Sequence, residues 1–400
     1  MFLFEGLKVL DVGTWIAAPV STTMLADFGA DVIKVEVPGQ GDPYRNLASM
    51  PGMPKADVNY TWIVDNRNKR SITLDLKSSE GQEVIRKLIS ECDVYVTNQP
   101  MSVRRSMGLT FEDVQELNPR MIYASLTAYG ESGAEVEKTG FDASAYWARS
   151  GLADLVHAPD APPVFSLPGM GDHPSGVSMF ACIMMGLYRR QLTGKGGMVS
   201  TSLLANGYWA AGCFGQAALA GADFSSRREL KSTGESWMRR FYATSDERLL
   251  IFNMVRTPAE QEALFHALGL GELLAQERFK DPLGRKEHSE ALSGFMAERL
   301  VTKDSEHWLR FFTEHKINVS RVGHLEDMLT DEQAITTGVL TPPAEDLGVP
   351  YVINSPLFVD DAEQVGHHHP PELGEHTDEV LASLGYDAKT IADWRVSGKT

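Results

Sequence analysis

The sequence predicts an α/β protein, with a large domain built on a Rossmann-like parallel sheet and a smaller α+β domain inserted into it. Three observations support this fold class. Through residues 1–130, short β-branched runs alternate with amphipathic stretches, which is typical of repeated strand–helix–strand units. Residues 225–333 are more charged and include a separate strand-like run. The 400 residues also suffice for two domains with sizeable cores.

The alternating region begins with a predicted strand at 8–12 and a helix over 19–28. Gly29 follows that helix directly, at the position where a glycine commonly ends one. Apolar and β-branched residues then predict a second strand at 31–36 and a third at 71–75.

A helix from about 79 to 90 is predicted after the third strand. Ser79 and Gln82 have the spacing of a capping box, in which two side chains bond the free amides of the first helical turn. A parallel sheet covered by helices follows from this order of elements. The alternation continues with a strand, a helix and a strand at 93–97, 112–117 and 121–126.

Residues 175–190 are apolar on nearly every face, which predicts a helix buried between layers. A glycine-rich turn and a strand at 198–204 follow it, and the inserted region has its own strand at 248–253. We expect a large domain, a small domain and a C-terminal segment that returns to the large domain, over 1–224, 225–333 and 334–400.

The composition limits the classes of function. A formal net charge of −17, with 37 basic residues, argues against nucleic acid and anionic membranes as partners, because both require a concentrated basic face. The start of the chain lacks a signal-peptide pattern, and no apolar run approaches the roughly 20 residues of a membrane span. We therefore expect a cytoplasmic protein that acts on small molecules.

Cysteine and histidine patterns do not indicate a metal site. Cys92, Cys182 and Cys213 are widely separated, so neither a disulfide framework nor a Cys-x-x-Cys site is predicted. The three adjacent histidines at 367–369 lie in a proline-flanked loop, where their side chains are expected to point in different directions. We expect no bound metal.

The most informative segment is 168–176, in which one carboxylate, Asp172, lies among glycines and prolines directly before the apolar helix. Small residues allow a ligand to approach the backbone closely, and a carboxylate there is suited to act as a base or a nucleophile. The same Asp-x-x-Ser pattern is typical of a helix N-cap. The residues alone leave both interpretations open.

The turn after the first predicted strand, residues 13–19, retains one glycine of the Gly-x-Gly-x-x-Gly pattern, so NAD binding is disfavoured. Ala17 and Ala18 leave room for a ligand near the helix start, and Trp15 offers a flat apolar face. A packed strand-to-helix turn is the alternative interpretation.

Several short motifs occur in the order found in one known family. They are Gly140-Phe-Asp142, Gly171-Asp172 and the stretches 7–13, 25–36, 68–77, 127–133, 192–196 and 373–381. On these motifs the chain resembles the family III CoA-transferases along nearly its whole length. The resemblance implies an acyl-CoA thioester and a carboxylic acid as substrates, with no permanently bound cofactor.

The resemblance also implies a mechanism. In this family the aspartate of the glycine loop, here Asp172, is the nucleophile that forms mixed-anhydride and aspartyl-CoA thioester intermediates. The amides of Gly169 and Gly171 are suited to stabilise the oxyanion formed at the carbonyl. Related α-methylacyl-CoA racemases have a histidine where this chain has Phe141, and an aromatic ring cannot transfer a proton. A racemase and a non-catalytic CoA-binding protein remain the alternatives.

The phosphates of CoA require basic side chains or helix N-termini. The CoA-binding residues implied by the resemblance, with those of the first turn, are Trp15, Ala17, Ala18, Asn68, Lys69, Arg70, Asn98, Arg104 and Arg105. For each basic residue, a solvated surface position is the alternative.

The acyl pocket and the assembly are further implications of the resemblance. Phe141, Tyr146 and Trp147 are predicted to line an apolar pocket for a 2-hydroxy or aryl acid, with core or interface packing as the alternative. An interlocked homodimer is expected, in which each chain threads through the other. The family has a glycine-rich lid, but residues 230–240 of this chain provide no convincing counterpart. We therefore predict no such lid.

Overall fold

The computed structural model describes residues 1–157, 161–225, 236–252 and 254–400. These residues form two compact units, the first comprising 1–157, 163–220 and 331–400 and the second lying mainly within 221–330. Two sequence predictions fall partly outside the described residues. They are the end of the strand at 248–253, which includes Asn253, and the lid segment at 230–240 as far as 235.

The first unit is built on a six-stranded parallel sheet, which confirms the predicted α/β class. Its strands are β1 Lys8–Asp11, β2 Asp31–Glu36, β3 Arg70–Thr73, β4 Val94–Thr97, β5 Ile122–Thr127 and β6 Gly197–Ser202. The spatial order is β3-β2-β1-β4-β5-β6, with every pairing parallel. This Rossmann order reverses between β1 and β4, which opens a crevice at their carboxyl ends where ligands commonly bind.

Both faces of the sheet are covered by apolar side chains. Val9 of β1 pairs with Val32 of β2 and packs with Leu25 in the cluster on one face. Its neighbour Leu10 packs with Ile85 in a second cluster. Because successive side chains of a strand point to opposite faces, the two clusters lie on opposite sides of the sheet.

The helices of the first unit that precede residue 220 are α1 Ala17–Asp27, α2 Tyr60–Asn66, α3 Ser79–Glu91, α4 Met101–Ser106, α5 Phe111–Val114, α6 Leu152–Val156, α7 Asp172–Thr193, α8 Leu203–Ala210 and α9 Gly212–Leu219. A 3₁₀ segment at Pro43–Ser49 and a π-helical turn at Ala143–Ala148 lie between them. Gly29 follows α1 with φ of +94°, as expected for a glycine that ends a helix.

The predicted capping box of α3 is wrong. The N-cap is Ser78, whose hydroxyl accepts a hydrogen bond from the Gly81 amide at 3.0 Å. The Gln82 side chain donates to the Leu76 carbonyl at 2.6 Å instead of returning to the cap. Only Ser79 has a glutamine three residues later, but Ser78 is the residue with the extended backbone that directly precedes the helix, and its third successor is Gly81.

The apolar helix α7 is longer than predicted, and the prediction that it is buried between layers is wrong for the single chain. One face packs on the sheet and α1 through Ser175, Met179 and Ile183. The opposite face leaves Met185 72% exposed and Tyr188 63% exposed. An apolar pattern indicates that a face is covered, but it does not indicate whether the same chain covers it.

The second unit is an α+β arrangement. Its antiparallel sheet has the order β7-β8-β9, with strands Phe241–Ala243, Leu249–Ile251 and Ser320–Arg321. Around a core that includes Trp237, Phe252 and Phe312 lie the helices α10 Pro258–Ala267, α11 Pro282–Glu287, α12 Ser289–Leu300 and α13 Ser305–Glu314.

The C-terminal segment belongs to the first unit. It contains α14 Glu332–Thr336, β10 Leu340–Thr341, β11 Val352–Ile353, α15 Thr377–Ser383 and α16 Ala388–Val396. It packs beside β3, where the Thr73 amide donates to the Thr377 hydroxyl at 3.0 Å. Across the described ranges, no helix has both the length and the apolar character to cross a membrane.

Candidate active site

Asp172 is the first residue of α7, and its side chain is half-buried. The residue in the N-cap position is Gly171, and no side chain caps the helix there. The capping interpretation of Asp172 is therefore excluded. A carboxylate in the first helical turn faces the positive end of the helix dipole, which favours its charged form.

The glycines before Asp172 allow very close packing. Gly169 has φ of +81°, and a Cβ atom there would lie 2.7 Å from the His173 ring. A Cβ on Gly171 would lie 2.6 Å from the Tyr146 ring. Larger residues would therefore displace the loop that presents Asp172.

Asp142 was missed as a candidate site residue and is central to the loop. It is buried, and its Oδ2 atom accepts a hydrogen bond from the Gly171 amide at 3.0 Å. Its Oδ1 atom accepts the Ala143 amide at 2.7 Å. The Gly171 amide predicted for the oxyanion is therefore already engaged by a carboxylate, which leaves Gly169 as the candidate from the predicted pair.

His173 is held between two acceptors. Its Nδ1 atom lies 3.0 Å from the Gly169 carbonyl oxygen, and its Nε2 atom lies 3.1 Å from Oδ1 of Asp65. Asp65 is buried in α2, and its Oδ2 atom accepts a hydrogen bond from the Tyr44 hydroxyl. Asp65 and Tyr44 were also missed, because they lie far from the loop in sequence and belong to no motif that we singled out.

The surroundings set the charge of the loop. Burial, with the nearby carboxylates of Asp142 and Asp65, raises the pKa of Asp172 to about 7, and His173 opposes this shift. Burial lowers the pKa of His173, but the bond to Asp65 and the neighbouring carboxylates raise it to about 9. At neutral pH, His173 is therefore a cation and Asp172 is divided between acid and carboxylate.

The turn between β1 and α1 lies beside this loop, because Ile16 approaches Gly169. Trp15 adopts a left-handed φ of 63°, and its amide donates to Oδ1 of Asp42 at 3.0 Å. The Trp15 ring packs edge-on against the exposed Phe141, with 5.5 Å between ring centroids. Two predicted residues, one from the turn and one from the acyl set, thus meet near Asp172.

Other predicted residues of this turn have different surroundings. Asn98 follows β4, donates to the Thr14 carbonyl at 2.7 Å and accepts the Thr14 amide at 2.9 Å. It lies at the carboxyl edge of the sheet, as expected. Ala17 and Ala18 are buried in the core, so they act as packing residues in the described chain.

Asn68, Lys69 and Arg70 are engaged elsewhere. The Asn68 side chain accepts the His368 amide at 3.0 Å, and the buried Lys69 pairs with Asp11 at 3.0 Å. Arg70 begins β3 and pairs with a carboxylate that begins β2, so it lies at the amino edge of the sheet. This placement separates Arg70 from Asn98, and the CoA-binding role of all three stays a prediction.

Arg104 and Arg105 differ sharply. Arg104 is buried and forms two hydrogen bonds to Glu131, at 2.9 and 3.1 Å. Arg105 is exposed and pairs with Glu137. Of the two, Arg105 is the side chain that a ligand in solution can reach.

Tyr146 and Trp147 are buried in the same core cluster. Tyr146 contacts the loop at Gly171, whereas the Trp147 indole donates to the Val164 carbonyl at 2.8 Å. Tyr146 therefore lies directly against the candidate nucleophile's loop, and Trp147 supports the core behind it. Among the described side chains, no group of three or more His, Cys, Asp or Glu is arranged to hold a metal.

Comparisons with known proteins cover nearly the whole chain. A family model, CoA-transferase family III, matches residues 4–377. The chain is 30% identical to an (R)-2-hydroxy-4-methylpentanoate CoA-transferase from Clostridioides difficile, covering 99% of this chain and 98% of that protein. It is also 30% identical to a cinnamoyl-CoA:phenyllactate CoA-transferase from Clostridium sporogenes, covering 98% and 95%.

The fold is also found in a solved structure. A CAIB/BAIF family protein from Brucella suis superimposes with a TM-score of 0.81 at 26% identity, covering 95% of this chain and 98% of that one. The resemblance drawn from the sequence motifs is thereby confirmed along nearly the full length. The chain belongs to CoA-transferase family III.

Proposed function

We propose that the protein moves CoA from an acyl-CoA donor to a free carboxylic acid through covalent intermediates on Asp172. The observation that carries this proposal is the position of Asp172 at the first turn of α7, beside a glycine loop and the crevice of the sheet. No cap bond occupies its carboxylate. An uncommitted carboxylate at a helix N-terminus is suited to attack an electrophilic carbonyl.

The bonds exchange in four steps. A carboxylate oxygen of Asp172 attacks the thioester carbonyl carbon, the C–S bond breaks, and CoA leaves as a thiolate from a mixed anhydride. The thiolate attacks the Asp172 carbonyl carbon, expels the donor carboxylate and forms a β-aspartyl-CoA thioester. The acceptor carboxylate attacks the carbonyl carbon of this thioester, the C–S bond breaks, and CoA leaves as a thiolate from a second mixed anhydride. The thiolate then attacks the acceptor's acyl carbon, which releases the new acyl-CoA and restores Asp172.

The surroundings of Asp172 fit this sequence of steps. Each step begins with an anion and passes through an oxyanion, so positive charge and amide donors near the reacting carbon lower the barrier. The α7 N-terminus and the His173 cation supply positive charge. We assign the Gly169 amide to the oxyanion, because the Gly171 amide is bonded to Asp142.

The acceptor that we propose is a 2-hydroxy or aryl acid. Two relatives at 30% identity are named for 2-hydroxy-4-methylpentanoate and for cinnamoyl-CoA with phenyllactate. The aromatic rings of Trp15, Phe141 and Tyr146 lie near the loop and provide apolar surfaces for such a side chain.

An exchange assay tests the proposed function. Purified protein is mixed with acyl-CoA donors and a panel of aliphatic, dicarboxylic, 2-hydroxy and aryl acids, and new thioesters are detected by mass spectrometry. Transfer to an acid of the panel supports the proposal. Exchange of the α-proton for deuterium without transfer would favour a racemase, and CoA binding without either reaction would favour a binding protein.

Arg105 is the basic residue that we propose to contact a CoA phosphate. Arg105→Gln is expected to raise the KM for the acyl-CoA by about tenfold or more with kcat nearly unchanged, because a charge-assisted bond contributes about 1.5–3 kcal/mol. Arg104→Gln is the matched control. It is expected to lower the melting temperature, since Arg104 is buried against Glu131. An unchanged KM in Arg105→Gln would contradict the assignment.

We also propose the interlocked homodimer that the resemblance implies. The apolar face of α7 and its continuation on α8 and α9 leave large side chains exposed, among them Met185, Tyr188, Leu192, Trp209 and Leu219. Many large exposed apolar side chains on neighbouring helices are typical of a protein interface. Light scattering is expected to give twice the chain mass of 44.0 kDa, and a mass of one chain at micromolar concentration would contradict the dimer.

A further inference from the structure

Next to the candidate nucleophile lies a chain of three hydrogen-bonded residues, Tyr44, Asp65 and His173. The Tyr44 hydroxyl donates to Oδ2 of Asp65, and Oδ1 of Asp65 lies 3.1 Å from Nε2 of His173. Tyr44 and Asp65 are buried, at 3% and 1% exposure. Each member comes from a different element, so the fold assembles the chain of bonds next to Asp172.

The partners of His173 define its protonation. Both ring nitrogens face atoms that only accept hydrogen bonds, the Gly169 carbonyl oxygen at 3.0 Å and the Asp65 carboxylate. A neutral imidazole has one N–H and would leave one of these contacts unmade. The imidazolium has two and satisfies both. The pKa of His173, raised to about 9, agrees with this charge.

The charges that face Asp172 come from several elements. Asp142, ahead of the π-helical turn, and Asp65, in α2, are carboxylates that disfavour a third negative charge. Tyr44 lies behind Asp65 and remains a neutral hydroxyl donor, because burial and the Asp65 carboxylate raise its pKa. His173 provides the opposing positive charge.

We propose that His173 is a positioning residue: as a fixed imidazolium between Asp65 and Gly169, it favours the carboxylate form of Asp172 and holds the glycine loop. This inference rests on the proposed function, because it concerns Asp172 as the nucleophile. With both N–H groups donated, His173 has no free lone pair to accept a proton. It is therefore not the second base that a racemase would require.

The pH dependence of Asp172 modification tests this role. The rate of CoA-adduct formation on Asp172 is measured in single turnover between pH 5.5 and 9 for wild type, His173→Gln and His315→Gln. Because the carboxylate is the reactive form, the wild-type rate is expected to rise with pH through a midpoint of about 7. His315, which directly follows α13 in the second unit, is the matched histidine control.

His173→Gln is expected to move the midpoint upward by about one pH unit or more, because the neighbouring cation is lost. The rate of adduct formation that this variant reaches at high pH is expected to fall as well, because glutamine does not reproduce the hydrogen bond from the His173 ring to the Gly169 carbonyl. A lower rate at high pH with an unchanged midpoint would show a structural role only and would overturn the inference. His315→Gln is expected to match wild type.

A second measurement does not depend on activity or on a variant that turns over. Nitrogen NMR of ¹⁵N-histidine-labelled wild type is recorded at pH 8, and the His173 signals are assigned by their loss in His173→Gln or His173→Asn. Two protonated ring nitrogens are expected, and a neutral ring would overturn the inference. If the wild type forms no CoA adduct, the proposed function is wrong. If the wild type forms the adduct but His173→Gln has the same pH midpoint, only the proposed role of His173 is wrong.

Discussion

Replacing Asp172 by asparagine is expected to lower the rate of CoA transfer by about 10⁴-fold or more, because the amide cannot form the anhydride or the thioester. The fold is expected to remain intact, since no side-chain bond caps α7 and Gly171 occupies the cap position. The measurement is steady-state acyl exchange, with thermal unfolding as the test of folding. Asp57→Asn, at an exposed position, is the matched control.

The stability of this variant provides a second criterion. A carboxyl whose pKa is raised on folding stabilises the folded state at low pH and costs stability as pH rises above its unfolded value. The pKa of Asp172 is raised from 3.8 to about 7, so the carboxylate destabilises the protein at pH 8. Asp172→Asn is therefore expected to melt no lower than wild type at pH 8. Retained turnover would exclude Asp172 as the nucleophile.

Replacing Lys34 by methionine is expected to have the largest effect on stability. Lys34 is buried in β2, and its Nζ atom lies 2.8 Å from Oδ2 of Asp42 and 3.0 Å from the Gly13 carbonyl oxygen. Burial disfavours its charge, but Asp42, Asp11 and Glu36 raise its pKa above the usual value. Removing one partner of such a pair typically costs about 3–5 kcal/mol, because the other charge stays buried.

The Lys34 pair also supports the crevice. Oδ1 of Asp42 accepts a hydrogen bond from the amide of Trp15. This bond helps to hold Trp15 at its φ of 63°, a left-handed conformation that residues other than glycine rarely adopt. The change in stability is measured by hydrogen exchange of peptides from β1 and β2, because a chain with two units need not unfold in one step. Lys34→Met is expected to lower their protection markedly.

An exposed pair provides the matched control for Lys34. Lys8 pairs with Glu91 at 3.1 Å with both side chains more than half exposed, so Lys8→Met is expected to cost less than about 1 kcal/mol. The double variant with Lys34→Met and Asp42→Asn is expected to recover part of the loss, because no unpaired charge remains. Equal protection in Lys34→Met and Lys8→Met would contradict the importance of the buried pair.

The strands were predictable because their signals are local. Strand β2 was predicted with its observed bounds, and Gly29 marked the end of α1 correctly. The start of α7 was not predictable from the same signals, because Pro174 suggests a loop. In the first helical turn a proline is tolerated, since no intrahelical bond to its nitrogen is needed there. The helix therefore begins at Asp172.

The site was predictable only in part. Asp172 is recognisable from the sequence because the glycines that surround it lie within a few residues of it along the chain. Asp65 is 108 residues from His173, and Asp142 is 29 residues from Gly171. Their meeting depends on the order of strands and on helix packing, which residue spacing does not contain. Lys34 resembles an ordinary exposed lysine in a strand until the carboxylates around it are known.

In the proposed mechanism, Asp172 itself carries CoA. The most direct measurement is intact-protein mass spectrometry after mixing with an acyl-CoA alone, followed by peptide mapping. We expect a CoA thioester on the peptide that contains Asp172, which disappears when an acceptor acid is added as the new acyl-CoA appears. Transfer of CoA with no adduct on that peptide, or an adduct on another residue, would contradict the proposed mechanism.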